Sequence, residues 1–333
     1  MKRRVRRRAQ RVRPASPYRA RASFVGLLIL PRRFVLAAGL VLGVLLPAVD
    51  GARANPATTG FVGVASTVSD SLRGRSGKLL ARFVGVASPQ RDVALFTGLF
   101  GSDAIQQPGV YSVSTPGIAH SFAFVALRSF AEKTRGRLGR YRLGFWPGER
   151  GLVHAPAYRN PSGFIEVTPA NQDLYVSEHF RLRDFLTHDQ QTVWPKYLVL
   201  HERLVDKLEL VIAELERSGI AVQHMTVMSG FRTPQYNATG GDTTGRDELS
   251  RHMYGDASDV FVDNDGDGRM DDLNGDGRID YRDAQVIIAA MDRVEQTDRS
   301  LVGGGGVYKG TAIHGPFAHI DARGTRLRWE EIQ

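Results

Sequence analysis

The sequence predicts an α+β fold, with a small antiparallel sheet flanked by helices and preceded by a small β-rich domain. Three observations predict it. Residues 55–172 hold short runs such as GRYRLGFWPG, FAFVALRSF and GFIEV, separated by Gly, Pro and Asn, a pattern of strands and turns. Residues 173–333 open a different pattern, with one long helical period and separate strand runs. Their order is helix, strand, loop, strand, insertion, helix, strand, which suits an α+β layer and not a regular βαβ alternation.

The elements follow in chain order. Residues 1–54 read as a leader: a basic run, MKRRVRRRAQRVRP, then an apolar run of 16 residues from Phe34 to Val49, then ARA at 52–54. That order is a secretory signal with cleavage before Asn55. Arg32 and Arg33, just ahead of the apolar run, resemble a twin-arginine export signal. The run is short of the ~20 residues of a membrane span; the other reading is an uncleaved anchor, given the long basic segment. The expected location is the periplasm or cell envelope, with membrane contact only if the leader stays.

The leader also explains the charge. The chain of 333 residues carries a formal +9, but residues 1–54 hold 13 of its 44 Lys+Arg and one of its 35 Asp+Glu. The rest keeps 31 basic and 34 acidic groups, a net of −3. The folded part thus lacks the basic balance of a nucleic-acid binder. There is no cysteine, which excludes disulfides, thiolate catalysis and cysteine metal sites.

After the β-rich block, Ser177 is a plausible helix cap for short segments holding Glu178 and Asp184. WPKYLVLHERLVDKLELVIAELERSG is the clearest helix: Leu204, Leu208, Val211 and Leu215 recur at helical spacing, Gly219 stops it, and Pro195 suits its first turn. IAVQHMTVMSG reads as a strand entering a tight turn, DASDVFVD as a second strand, DAQVIIAAMDRVEQ as a helix and GPFAHIDARG as a last strand.

Two imidazoles and a carboxylate can hold one metal ion and leave a position open for water. The chain offers His252, Asp259 and His319. Strand parity turns Val260 and Val262 to one face and Asp259 to the other; Phe317, His319 and Asp321 likewise share a face. His252 precedes its strand in a turn around Gly255 and can fold back beside Asp259. The plain alternative is three unrelated polar positions.

SGFRTPQYN (residues 229–237), SRHMYGDASDV (250–260) and GPFAHIDARGTRLRW (315–329) occur in this order. Together they resemble the D-Ala-D-Ala carboxypeptidase/dipeptidase superfamily of zinc peptidases, nearest in pattern to its YcbK-like murein endopeptidase branch. The resemblance implies a zinc peptidase domain over residues 173–333, with zinc on His252, Asp259 and His319 and a peptidoglycan peptide as substrate. Arg232 would hold a substrate carboxylate or the carbonyl oxyanion, and Ser250 would hydrogen-bond the peptide; the plain alternatives are a salt bridge and a loop cap. Several members carry an acidic base three residues before the third ligand, where this chain has Pro316. The expected base is Asp321, on the same strand face as His319; its alternative roles are a partner behind His319 or a ligand, and His314 is the second choice for the base.

Between Asp259 and His319 lies an insertion, residues 263–283, with two overlapping acidic loops. Asp272, Asn274, Asp276, Arg278 (through its backbone), Asp280 and Asp283 have the oxygen-rich spacing of a Ca²⁺ loop, and resemble EF-hand and dockerin loops. The first loop, from Asp263 through Asp265, Asp267 and Asp271, ends at Asn274, a poor bidentate ligand. The expected cofactors are therefore Zn²⁺ and a structural Ca²⁺. Two rival functions stand beside the peptidase: a non-catalytic wall-binding protein that keeps the zinc fold, and a calcium-dependent surface adhesion module.

Overall fold

The computed structural model describes residues 58–63, 73–114, 122–153, 155–241, 243 and 246–331; the expected leader lies outside them. The described part is mixed α and β with small open sheets and few helices. A first sheet holds β1 (Thr58–Gly63), β2 (Arg82–Val84), β3 (Gly109–Ser114) and β4 (Phe122–Ala126), in the order β1-β3-β4-β2. In β3 and β4 the side chains alternate with period two. Val110, Ala123 and Val125 face the main core, whereas Tyr111, Val113, Phe122 and Phe124 pack with Phe96 of helix α1 (Gln90–Phe100).

Short strands β5 (Arg128–Ser129), β6 (Arg137–Leu138) and β7 (Tyr141–Arg142) follow. Then β8 (Gly163–Val167) pairs with β5 on one side and with β9 (Lys196–Leu198) on the other. The expected border near residue 172 is therefore crossed by a β-ladder. One core takes in Tyr141, Trp146 and Phe164 together with Leu204, Val260 and Ile320.

The helix expected from Trp194 starts later. Lys196–Leu198 is strand, and helix α2 runs Glu202–Arg217. Pro195 is thus not in a first helical turn. Leu204, Leu208, Val211 and Leu215 are all fully buried, and Gly219 stops the helix with φ +86°. Ser177 caps no helix; the segment after it holds only a 3₁₀ turn, Leu182–Phe185.

The second large sheet carries the site. It holds β10 (Met225–Ser229), β11 (Ala257–Val262), β12 (Gly304–Tyr308), β13 (Phe317–Asp321) and β14 (Leu327–Glu331), in the order β10-β11-β13-β12-β14. Three of its pairings are antiparallel; β12 and β14 run parallel, so the sheet is mixed and not purely antiparallel as expected. Helix α3 (Pro234–Thr239) follows β10, and helix α4 (Tyr281–Thr297) packs against α2, β12 and β13. Behind the sheet, the buried Lys207 of α2 donates to Glu295 of α4 (2.7 Å) and to the Asp321 carbonyl (2.6 Å).

Candidate metal centre

The register of this sheet builds one row of residues across five strands. Ser229 stands opposite Asp259, Asp259 opposite His319, His319 opposite Gly306 and Gly306 opposite Trp329. Cross-strand partners on one face lie about 4.5–5.5 Å apart, so the sheet alone brings Asp259 and His319 together.

His252 comes from outside the row, on a 3₁₀ turn, Arg251–Tyr254, that leads into β11. Several contacts fix this turn. Arg251 donates to both oxygens of Asp256 (3.0 and 2.5 Å) and to the Ala157 carbonyl (2.7 Å), with its guanidinium over the rings of Tyr158 and Tyr254. Trp146 Nε1 donates to the Met253 carbonyl (2.8 Å). The turn ends at Gly255 with φ +70°, where a Cβ would lie 2.3 Å from the Val199 carbonyl oxygen. Only glycine fits there.

Three donor atoms converge. His319 Nδ1 is 2.9 Å from Asp259 Oδ1, His252 Nε2 is 3.2 Å from the same oxygen, and the two nitrogens are 3.2 Å apart. All three residues are buried, and among the described residues they form a group able to hold a metal ion. The outer nitrogen of each ring is also engaged. His252 Nδ1 donates to the Gly230 carbonyl (2.7 Å), which leaves the Nε2 lone pair facing inward. His319 Nε2 faces Asp321 Oδ2 at 3.3 Å. Such outer partners set the tautomer and aim of metal-binding histidines.

The electrostatics suit a cation. Burial, with help from the Arg232 charge, lowers His252 to about 4, so its ring is neutral at pH 7. Burial opposes the charge on Asp259, but its charged and hydrogen-bonded neighbours hold it well below the usual carboxylate range. Burial also acts to lower His319, yet its hydrogen bonds to Asp259 and Asp321 raise it. A metal on Nδ1 would take the place of that nitrogen's hydrogen bond to Asp259.

The other expected residues fall into place unevenly. Arg232 borders the centre, but its guanidinium is committed: Nη2 donates to Asp259 Oδ2 and Nε to Ser229 Oγ (2.8 Å). The salt-bridge alternative is what it forms, and it aims Asp259 Oδ1 at the imidazoles. Ser250 is buried, and its side chain does not cap the turn. His314 is half-buried; its Nδ1 donates to the Gly315 carbonyl (2.8 Å), and its ring meets Phe317 edge-on.

Asp321, the expected base, is engaged on both carboxylate oxygens. It is fully buried, and Oδ1 accepts from the N–H groups of Gly304 (2.7 Å) and Arg323 (3.0 Å). Oδ2 accepts from Arg323 Nε (2.8 Å) and Nη2 (2.5 Å) as well as facing His319. Burial would raise its pKa, but these donors hold it far below the carboxylate range. A group so held positions His319.

The sequence reading missed Tyr308 and Trp329. Trp329 Nε1 donates to the Tyr308 hydroxyl (2.8 Å), its ring lies 5.1 Å from the His319 ring, and Tyr308 stacks on Phe317 at 4.5 Å. Gly306 makes this wall possible: a Cβ there would lie 2.4 Å from Trp329 Cε2. The signal was the glycine run before Val307 and Tyr308, which marks a close approach to a strand.

The loop expected to hold calcium uses its carboxylates on its own backbone. Asp272 accepts from Gly275, Asp276 and Gly277, and Asp276 from Arg278. Asn274 Oδ1 accepts from Asp276. Asp280 and Asp283 form the capping box of α4, and Asp283 Oδ1 also accepts from Leu273 and Asn274. Arg282 brings a cation to Asp276 (3.9 Å) and Asp280 (3.1 Å). In the first loop three carboxylates converge, at Asp263, Asp265 and Asp267; the second loop has Asn274 at the position of Asp265. No protein-family model, curated protein or solved structure matches the chain, so the centre is defined by its own atoms: two oriented imidazoles and a carboxylate fixed by strand register.

Proposed function

We propose that this protein is an exported zinc-dependent peptidase that hydrolyses peptidoglycan stem peptides or their cross-links. The observation that carries the reading is the convergence of His252 Nε2, His319 Nδ1 and Asp259 Oδ1, with each imidazole oriented through its other nitrogen. Donors about 2.0–2.1 Å from one zinc ion stand roughly 3.0–3.4 Å apart, according to coordination angle. Two of the observed separations, both 3.2 Å, fall in this span, and the third, 2.9 Å, lies just below it. Two nitrogens and one carboxylate oxygen are a zinc-type donor set, and the order of SGFRTPQYN, SRHMYGDASDV and GPFAHIDARGTRLRW supplies the substrate class.

Bound there, zinc would supply an activated water and polarise the scissile carbonyl. The chain's residues do the rest. Asp321 and the Gly230 carbonyl hold the two rings in register. Arg232 keeps a fixed positive charge beside the carbonyl oxygen as it turns negative. With Asp321 committed, the base passes to His314, whose Nδ1–H donates to Gly315 and whose Nε2 therefore carries the lone pair. The wall of Tyr308, Phe317 and Trp329 gives the substrate an apolar side.

One specific observation favours a second reading, a wall-binding protein without activity: Pro316 stands where an acidic base is expected, and Asp321 is locked. One experiment separates the two. The protein, loaded with one equivalent of zinc, is incubated with murein sacculi, and soluble fragments are identified by mass spectrometry. Peptide fragments that disappear with His252→Ala support the peptidase. Sacculi that bind the zinc-loaded protein but release nothing would leave only the wall-binding reading.

A further inference from the structure

We propose a calcium site in the first acidic loop, held by Asp263, Asp265 and Asp267 and distinct from the histidine centre. Each of these side chains brings a carboxylate oxygen within 4.8 Å of the others. Asp265 and Asp267 are exposed, but Asp263 is only 5% exposed. Its Oδ2 accepts from Gly268 N (3.1 Å), while Oδ1, equally shut off from solvent, has no hydrogen-bond partner. A buried carboxylate oxygen without a donor is strongly unfavourable. The neighbouring guanidinium groups of Arg232 and Arg282 pair with Asp259, Asp276 and Asp280 instead of these three. Three converging negative charges and one orphaned buried oxygen call for a cation at this point.

The second loop makes the contrast. There Arg282 supplies the positive charge, and the buried Asp283 spends both oxygens on backbone N–H groups. In the first loop Asp265 and Asp267 likewise accept from backbone N–H groups, of Asp267 (3.2 Å) and Arg269 (2.8 Å), but no guanidinium among the described residues joins them and Asp263 Oδ1 stays without a donor; the loop's frame is fixed without an ion. Asp263 N donates to the His224 carbonyl (3.0 Å), Asp271 N to the Val262 carbonyl (2.9 Å), and Met270 is buried in the core. The carboxylates are thus presented from an anchored hairpin. All three donors are oxygen, which selects a hard cation over zinc. Calcium accepts six to eight oxygens at about 2.3–2.6 Å in an irregular shell, so water and a loop carbonyl can complete the set.

The proposal stands apart from the peptidase reading. Full-length protein, stripped with chelator, is titrated with CaCl₂ by calorimetry, with circular dichroism run on every variant. The wild type is expected to take up one calcium and melt at a higher temperature. Asp263→Asn and the exposed pair Asp265→Asn/Asp267→Asn are each expected to weaken binding at least tenfold. Asp272→Asn/Asp276→Asn and His252→Ala are expected to stay within about twofold of wild type. If Asp263→Asn fails to fold, the exposed pair decides. The proposal is overturned if folded wild type takes up no calcium, if the exposed pair binds like wild type, or if the loss appears only in Asp272→Asn/Asp276→Asn.

Discussion

Replacing Asp321 by Asn tests how the centre is held together. The side chain keeps its shape but loses its charge and one acceptor oxygen. In the wild type, Oδ1 takes the N–H groups of Gly304 and Arg323, and Oδ2 takes Arg323 Nε and Nη2 and faces His319 Nε2. If the Asn oxygen serves the two backbone groups, its NH₂ points at Arg323 and His319, donor against donor. Breaking a buried ion pair by neutralising one partner costs about 3–5 kcal/mol. Arg323 is 19% exposed at its side chain, so water recovers part of this and the low end applies. A loss of about 3 kcal/mol lowers the melting temperature by roughly 6–12 °C at 2–4 °C per kcal/mol. His319 also loses its orienting partner, which typically weakens metal binding about 10–100-fold. Calorimetric melting of the metal-free protein and zinc competition with a chromogenic chelator measure the two effects. A variant with wild-type stability and wild-type zinc affinity that had lost only turnover would refute this account and return Asp321 to the role of base.

Two further outcomes follow from the geometry. Gly306→Ala puts a methyl 2.4 Å from Trp329 Cε2 and 2.5 Å from its Nε1, so the indole must move and release the Tyr308 hydroxyl; overpacking plus one lost hydrogen bond amounts to about 2–3 kcal/mol. Unchanged melting and tryptophan fluorescence would show that the wall yields freely. His179→Gln should weaken stability in a pH-dependent way, because the hydrogen bond to Glu209 (2.7 Å) raises the His179 pKa. That contribution is complete below the unfolded value of about 6.5 and fades as pH rises through the folded value. The urea midpoints of wild type and variant should therefore differ most near pH 5.5 and converge toward pH 9; a constant gap would contradict the assignment.

Much of the site sheet was legible because its strands announce themselves locally. The runs around Thr226, Asp259 and His319 alternate or bury as strands do, and parity placed Asp259 and His319 on usable faces. What failed was long-range. Lys196–Leu198 continues an apolar stretch into the helix, and only pairing with β8, distant in sequence, makes it a strand. Gly304–Tyr308 has poor strand propensity, yet it is strand because it pairs with β13 and β14, and it is glycine-rich because Asp321 and Trp329 occupy the space its side chains would need. Parity put Asp321 beside His319, but the donors from Gly304 and Arg323 decide its role, and no spacing rule exposes them. Lys207 sits within an apolar helical stripe with nothing in the sequence to show that Glu295 awaits it. In the acidic insertion, spacing ranks the second loop higher, and spacing alone does not show that the Arg282 guanidinium and the α4 cap engage its carboxylates.

The row from Ser229 to Trp329 has a consequence for how errors in folding are caught. Asp259 and His319 are 60 residues apart in sequence, and only one alignment of β11 with β13 sets them opposite. A slip by one residue would place Ala318 or Ile320 there and turn the imidazole to the far side of the sheet. A metal ion that needs both donors therefore binds the correctly aligned sheet and no near-miss, and its binding free energy is added to that state alone. With a metal bound, the centre would act as a proofreader of strand alignment.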